Sequence, residues 1–214
     1  MIRMIFLGAP GSGKGTQAKK LCEKLDLAHI STGDILRKAI KDETELGKNA
    51  KRYVDGGELV PDDIILKMIK EELTGSDSGF IFDGFPRTFA QAEGLEKLLG
   101  EMGMNIDRVI NLLVDDQVII ARLVARRLCK SCGFEYNSKT RPPKQEGLCD
   151  HCGGELFQRS DDNAEVINNR LNVYREKTKP IEEFYRARGL LLDVDGGKGF
   201  EEVFESIVEM VGTT

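Results

Sequence analysis

The chain has 214 residues, with 31 Lys plus Arg against 36 Asp plus Glu, a formal net charge of −5 and an isoelectric point near 5.3. That length suits one well-buried core carrying insertions rather than two independent domains, and the negative balance argues against broad electrostatic binding to nucleic acid or anionic membrane. No run of 18 apolar residues occurs, and Met1 to Leu7 is too short for a signal peptide and lacks a cleavage pattern, so a soluble cytoplasmic protein is expected.

An apolar run from Ile2 to Leu7 predicts a strand, and Gly8-Ala9-Pro10-Gly11-Ser12-Gly13-Lys14-Gly15-Thr16 follows it. Glycines here permit backbone conformations that turn successive N–H groups onto an anion at a helix N-terminus, and Lys14 adds a cation at the β/γ-phosphate position. The pattern G-x-x-x-x-G-K is met, but the hydroxyl expected after the lysine falls at Thr16 because residue 15 is Gly. Which hydroxyl touches Mg²⁺, if any, is left open. Helical spacing from Lys14 to Leu25 and a short strand at Ala28 to Ile30 complete the first βαβ unit.

Ser31-Thr32-Gly33-Asp34 offers capping groups to a helix carrying Ile35, Leu36, Ala39 and Ile40, and this helical excursion ends at Gly56-Gly57. Glu58-Leu59-Val60 is predicted extended, Pro61 is suited to a first helical position, and Ile65, Met68 and Ile69 mark the next helix. Gly79 to Phe82 reads as a buried strand whose carboxyl end delivers Asp83-Gly84-Phe85-Pro86-Arg87-Thr88, and that end is where open α/β sheets bind ligands. A helix from Thr88 to Met102, a strand from Val109 to Val114 and a helix from Asp116 to Leu128 follow. Beyond Asp161-Asp162, read as capping residues, Val166, Ile167, Leu171 and Tyr174 give a helix that is interrupted before another at Pro180. A strand at Leu190 to Val194 and a helix at Glu201 to Val211 close the chain. Five strands alternating with helices predict a parallel, doubly wound α/β sheet.

Residues 129–158 break that pattern, with few apolar residues, Pro142-Pro143, and Cys129-x-x-Cys132 separated by sixteen residues from Cys149-x-x-Cys152. In a cytosolic chain such spacing predicts metal thiolates rather than disulfides, and fits a tetrahedral four-cysteine zinc site. Four thiolates leave no coordination position open, so the expected role is structural. Arg127, Lys130, Lys139, Arg141 and Lys144 are near enough in sequence to offset the charge. A nucleic-acid-binding zinc ribbon competes with this reading, but the segment lacks an aromatic stacking array. Cys22 falls on the apolar stripe of its helix, and neither His29 nor His151 reads as a catalyst.

The phosphate loop, Ser31 to Asp34, Asp83 to Thr88 and the paired cysteines together resemble the adenylate kinase family, in its long, zinc-bearing bacterial or archaeal form, from Met1 to about Val211. The resemblance implies a five-stranded parallel doubly wound P-loop sheet with two insertions. Residues 1–30, 61–125 and 163–214 would form the core domain, 31–60 a helical nucleotide-monophosphate-binding domain, and 126–162 a lid carrying the zinc site. It implies the reaction MgATP + AMP ⇌ 2 ADP, with Mg²⁺ carried on ATP, structural Zn²⁺, nucleotides as partners without nucleic acid or membrane, and a monomer.

Residue by residue, the family pattern puts ATP at Gly11, Ser12, Gly13, Lys14, Gly15, Thr16, Arg126, Glu135, Tyr136 and Lys198. It puts AMP at Thr32, Arg37, Glu58, Leu59, Val60, Gly84, Phe85, Pro86, Arg87, Gln91, Arg159 and Arg170. The implied catalytic set is Lys14, Arg87, Arg122, Arg126, Arg159 and Arg170; the four-residue spacing of Arg122 and Arg126 predicts one shared helix face. Thr32 could serve only as an N-cap, Gln91 could close a capping box with Thr88, and Asp83 is read as orienting Mg²⁺-bound water, with a strand-end residue bonded to nearby backbone as the alternative. GTP as donor to the same acceptor is the alternative activity. An RNA-binding regulatory module is disfavoured by the charge balance and by the arginine set.

Overall fold

The computed structural model describes residues 1–74 and 78–212. Its central sheet contains β1 (Arg3–Gly8), β2 (Ala28–Ser31), β3 (Phe80–Asp83), β4 (Arg108–Leu113) and β8 (Leu191–Asp195), in the order β2-β3-β1-β4-β8 with every pair parallel. Parallel strands need covered crossovers, so both faces of β1 are buried and its sequence is apolar at successive positions instead of alternating. Ile5 and Leu7 face one core with Phe80, Phe82 and Val109, against α4 (Asp62–Leu73), α5 (Phe89–Glu101) and α8 (Ile181–Arg186). Met4 and Phe6 face the other with Ile81, Ile110 and Val194, against α1 (Lys14–Leu25) and α9 (Phe200–Val211).

The register sets Ser31 beside Asp83 and Asp83 beside Phe6, so the carboxyl ends of β2, β3 and β1 open on one edge. Chain order departs from β1 toward β3 on one side and β4 on the other, which places the phosphate loop at the switch point of the sheet. Helices α2 (Thr32–Lys41) and α3 (Glu45–Gly56) rise from the end of β2. Segment 58–60 joins neither sheet, and Pro61 takes the N-cap position of α4, one residue before the helix proper.

The predicted helix from Asp116 is shorter than its sequence pattern. Helix α6 stops at Val124, and Arg126 opens β5 (Arg126–Cys129), the middle strand of an antiparallel sheet with β6 (Glu135–Asn137) and β7 (Leu156–Phe157). The cause is tertiary: Asn137 Nδ2 donates to the Arg122 carbonyl at 3.3 Å and Ser138 N to that of Ala125 at 2.8 Å, so carbonyls that end a helix find partners in the inserted segment. Arg122 and Arg126 therefore share no helix face. Asp161-Asp162 does not cap α7 (Ala164–Val173); Asn163 does, accepting from Val166 N at 3.0 Å. A π-helical turn at Tyr174–Thr178 interrupts the chain before α8.

Packing of α2 on α3 is unusually close at Gly47, where an added Cβ would stand 2.0 Å from the Ala39 carbonyl oxygen. Gly47→Ala has to drive the two helices apart, at about 1–3 kcal/mol or more. Hydrogen exchange is expected to rise across 32–56 while the central strands keep their protection; unaltered exchange in 32–56 would contradict this packing.

Candidate active site

Gly13, at φ 96°, caps α1 without a side-chain hydrogen bond, so the first amides of that helix are presented to the edge of the sheet. Lys14 Nζ folds back to the Ala9 carbonyl at 3.2 Å, and Arg122 Nη1 donates to the Ser12 carbonyl at 3.2 Å. The departure at residue 15 has a steric reason: a Cβ there would lie 2.8 Å from Asp83 Oδ2. The carboxylate occupies the space where a side chain would begin, and a hydroxyl is left only to Thr16. Burial pushes the Asp83 carboxyl up, but His29, whose Nε2 lies 3.6 Å from Oδ2, and the charge of Lys14 outweigh it and hold the group below the usual carboxylate range.

Two lobes of one cleft meet at Lys14, Arg37, Arg87 and Arg170. The first is lined by Thr32, Glu58, Leu59, Val60, Gly84, Pro86 and Gln91. The second, about 500 Å³, is lined by Gly11, Gly15, Thr16, Arg126, Glu135 and Arg159. Residues that the family pattern assigns to acceptor and donor thus fall largely on opposite sides of a cationic waist.

Each arginine is anchored. Arg37 pairs with Asp34 at 2.6 Å, and the same carboxylate lies 3.6 Å from Lys19 and 3.8 Å from Arg159. Arg126 meets buried Asp162 through two hydrogen bonds of 2.8 and 2.6 Å, and Arg170 pairs with Asp161 at 3.0 Å. Arg87 donates from Nε to the Gly84 carbonyl at 2.7 Å. Burial, and then the like charge of Arg170, lowers its pKa to about 10. Burial lowers Lys14 to about 8, with Arg87, Arg170 and Arg126 adding to the effect and Asp83 opposing it.

Several residues of the expected set line neither lobe. Tyr136 turns away from the cleft into the small sheet, because its ring fills the apolar centre of that insertion beside Cys129 and Cys149. Lys198, in the loop before α9, pairs with Glu202 of that helix at 2.9 Å and lines neither lobe. Phe85 is buried in the core against Phe82, Ser12 is buried within the loop, and Gly13 and Arg122 act through the loop rather than lining the cleft. Thr32 is no cap: Ser31 Oγ accepts from Asp34 N at 3.4 Å, while Thr32 Oγ1 donates to the Gly84 carbonyl at 2.9 Å. Thr88 Oγ1 does accept from Gln91 N at 3.1 Å, but Gln91 Oε1 accepts from Arg87 N at 2.8 Å and its Nε2 donates to Asp62 at 2.7 Å.

Sequence reasoning missed Asp34, a local i,i+3 partner of Arg37, and also His29, Asp161 and Asp162, of which His29 and Asp162 meet Asp83 and Arg126 only through tertiary contacts. It also missed Arg141, whose guanidinium lies 5.0 Å from the Phe134 ring and 5.7 Å from the Phe200 ring, bridging the insertion to α9 across the second lobe.

The four cysteine sulfurs lie within 4.8 Å of one another, with Cys129–Cys152 at 3.4 Å and Cys132–Cys149 at 3.6 Å. A tetrahedron with bonds of about 2.3 Å has edges of about 3.8 Å, so these residues can hold one metal ion. Lys130 pairs with Glu155 at 2.8 Å and Arg141 faces the cleft, so the expected collar of cations is only partly formed.

A family model described as Adenylate kinase matches residues 6–190. The chain belongs to the adenylate kinase family. It is 54% identical over 208 residues to the adenylate kinase of Thermodesulfovibrio yellowstonii, covering 96% of this chain and 97% of that one. It is 51% identical to that of Carboxydothermus hydrogenoformans, again over 96% and 97% of the two chains. With that of Archaeoglobus fulgidus the identity is 50%, over 96% of each. Membership makes the chain a phosphotransferase of the nucleoside monophosphate kinase class. Among the described residues no helix is long and apolar enough to cross a membrane.

The lowered Lys14 pKa has a sign that can be checked. A bound triphosphate favours the charged amine, so the pKa rises on binding from about 8 and the complex takes up a proton. ATP affinity is therefore expected to fall between about pH 7 and pH 9, with calorimetric proton uptake revealed by comparing buffers of different ionisation enthalpy. A flat affinity with no uptake would show that Lys14 is already fully charged in the free protein.

Proposed function

We propose that the chain transfers the terminal phosphoryl group of MgATP reversibly to AMP, giving two ADP. The observation that carries this reading is the junction of two separate lobes at Lys14, Arg37, Arg87 and Arg170, which suits two anionic substrates meeting end to end. The attacking group is a phosphate oxygen, already ionised at neutral pH because its second pKa is about 6, so no general base is required. Positioning and charge neutralisation must then supply the catalysis.

In this reading Lys14 and the amides of residues 11–16 hold the donor phosphates, and Arg37 and Arg87 hold the acceptor phosphate. Arg126, Arg159 and Arg170 cover the group in transit, kept in place before substrate arrives by Asp34, Asp161 and Asp162. Arg122 steadies the loop through the Ser12 carbonyl. Mg²⁺ arrives with ATP and neutralises phosphate charge; Asp83, ionised and beside Lys14, fits the cation or its water as a hard oxygen group. Thr32 and Gln91 face the acceptor lobe, where they can select its base.

The proposed division is 1–30, 61–125 and 163–214 for the core, 31–60 for the acceptor-binding part and 126–162 for the lid; the α2–α3 pair and the small sheet, which stand outside the main sheet, support it. Lid closure in this family is itself a standard example of a motion that excludes water, here protecting ATP from hydrolysis. A cytoplasmic setting fits four closely grouped unbridged thiols. Zinc is the proposed occupant of the cysteine site, since a tetrahedral set of soft thiolates suits it.

Coupled assays with each nucleoside monophosphate test the activity, and AMP is expected to exceed CMP, UMP and GMP, with ATP exceeding GTP as donor. Equal rates with all acceptors would sink the proposal. Arg87→Lys keeps the charge but loses the planar fork, and is expected to cost about 3 kcal/mol of transition-state stabilisation, roughly 10²-fold in kcat/KM. Cys149→Ser is expected to lower metal content and the thermal midpoint while turnover well below that midpoint stays largely intact. Loss of turnover in a zinc-depleted protein whose lid is still folded would instead give the metal a catalytic role.

A further inference from the structure

We infer that Tyr136 is a positioning residue of the metal site, its hydroxyl hydrogen directed at the Cys149 thiolate so that it controls how firmly the ion is held. The inference rests on the reading of the four cysteines as a zinc site. Tyr136 lies on β6 opposite Arg127 of β5 and is 2% exposed, with its ring edge-on to Phe134 at 4.9 Å. Its Oη is 3.6 Å from Cys149 Sγ and 2.7 Å from Asp150 N.

Those two neighbours fix the direction of the bond. The Asp150 amide can only donate, so it takes a lone pair of Oη; the single hydroxyl hydrogen is left for the sulfur, which as a metal-bound thiolate can only accept. Among the described residues this is the one side-chain hydroxyl within hydrogen-bond reach of any of the four sulfurs. Cys149 is buried with it, whereas Cys132 and Cys152 are exposed, so the bond lies on the enclosed side of the site.

A donor on the sulfur draws electron density from it. The thiolate is then less readily protonated, and opening of its metal bond is slower. Hydrogen bonds of this kind to metal ligands typically alter affinity by about 10–100-fold. Substitution by Phe keeps the ring in its packing but leaves both the Asp150 amide and the thiolate without the hydroxyl.

The test uses the full chain as wild type, Tyr136→Phe, and Leu156→Ala, which loosens the same apolar cluster but removes no hydrogen-bond donor to a sulfur. One readout is the rate of zinc transfer to a chromogenic chelator; the other is the thiolate-to-metal charge-transfer band of the cobalt(II)-substituted protein. Tyr136→Phe is expected to speed zinc transfer about tenfold or more and to move the band to lower energy. Leu156→Ala is expected to leave the band in place. Fluorotyrosine at 136, a stronger donor of nearly the same size, is expected to move the band to higher energy, and keeps the question answerable if the Phe variant misfolds. An unmoved band in both 136 variants, an equal shift in Leu156→Ala, or zinc transfer from Tyr136→Phe at the wild-type rate would overturn the inference. Wild-type protein that takes up no zinc would instead overturn the reading of the site beneath it.

Discussion

Six cations brought to one edge of a parallel sheet repel one another, and most of the site's architecture follows from containing that repulsion. Lys14, Arg37, Arg87, Arg126, Arg159 and Arg170 all face the cleft. Without counter-charges, burying them would be prohibitive, since each loses water while gaining like-charged neighbours. Asp34, Asp161 and Asp162 supply those counter-charges. Burial opposes ionisation of the Asp34 carboxyl, but Arg37, Lys19 and Arg159 outweigh it and hold the pKa near 2. The acidic overall balance and the cationic cleft are therefore compatible: the arginines are concentrated locally, and the carboxylates beside them keep them rigid.

The inserted segment meets a different constraint. With its three short strands and an apolar centre of a few residues, it cannot bury enough surface to fold on packing alone. Four sulfurs lie close enough there to share one ion, and the bond from Asn137 to the end of α6 ties the segment to the body of the protein. The cysteine cluster, the helix end and Arg126 are linked through β5, since Cys129 and Arg126 are the two ends of the same strand. Stability of the four-cysteine cluster and placement of a cleft-facing guanidinium are thus coupled by four residues of backbone.

Much of this was legible in the amino-acid order, because the relevant forces act over a few residues. The span of α1, the burial of β1, the phosphate loop and the cysteine pairs are all local patterns of period, backbone freedom or ligand spacing. Where the reading failed, a distant partner had changed the local outcome. The helical pattern beyond Val124 gave way to strand pairing with residues 135–137, and Asp161-Asp162, with good capping chemistry, was drawn into ion pairs with Arg170 and Arg126. Tyr136 packs in the apolar centre of its small sheet, and Lys198, just ahead of α9, pairs with Glu202 on that helix.

The sequence by itself determined the strand–loop–helix start, the identity of the cationic groups and the four-thiolate set, since each depends on residues whose spacing fixes their geometry. Only the tertiary structure decided which carboxylates serve Arg126 and Arg159, why residue 15 carries no side chain beside Asp83, and which face of β6 meets the four sulfurs. Those matters depend on strand order and on the approach of segments far apart in the chain. A one-dimensional pattern constrains that approach only through total burial, whereas a 2.8 Å clash or a two-pronged ion pair is settled by distances between side chains that have no fixed separation in sequence.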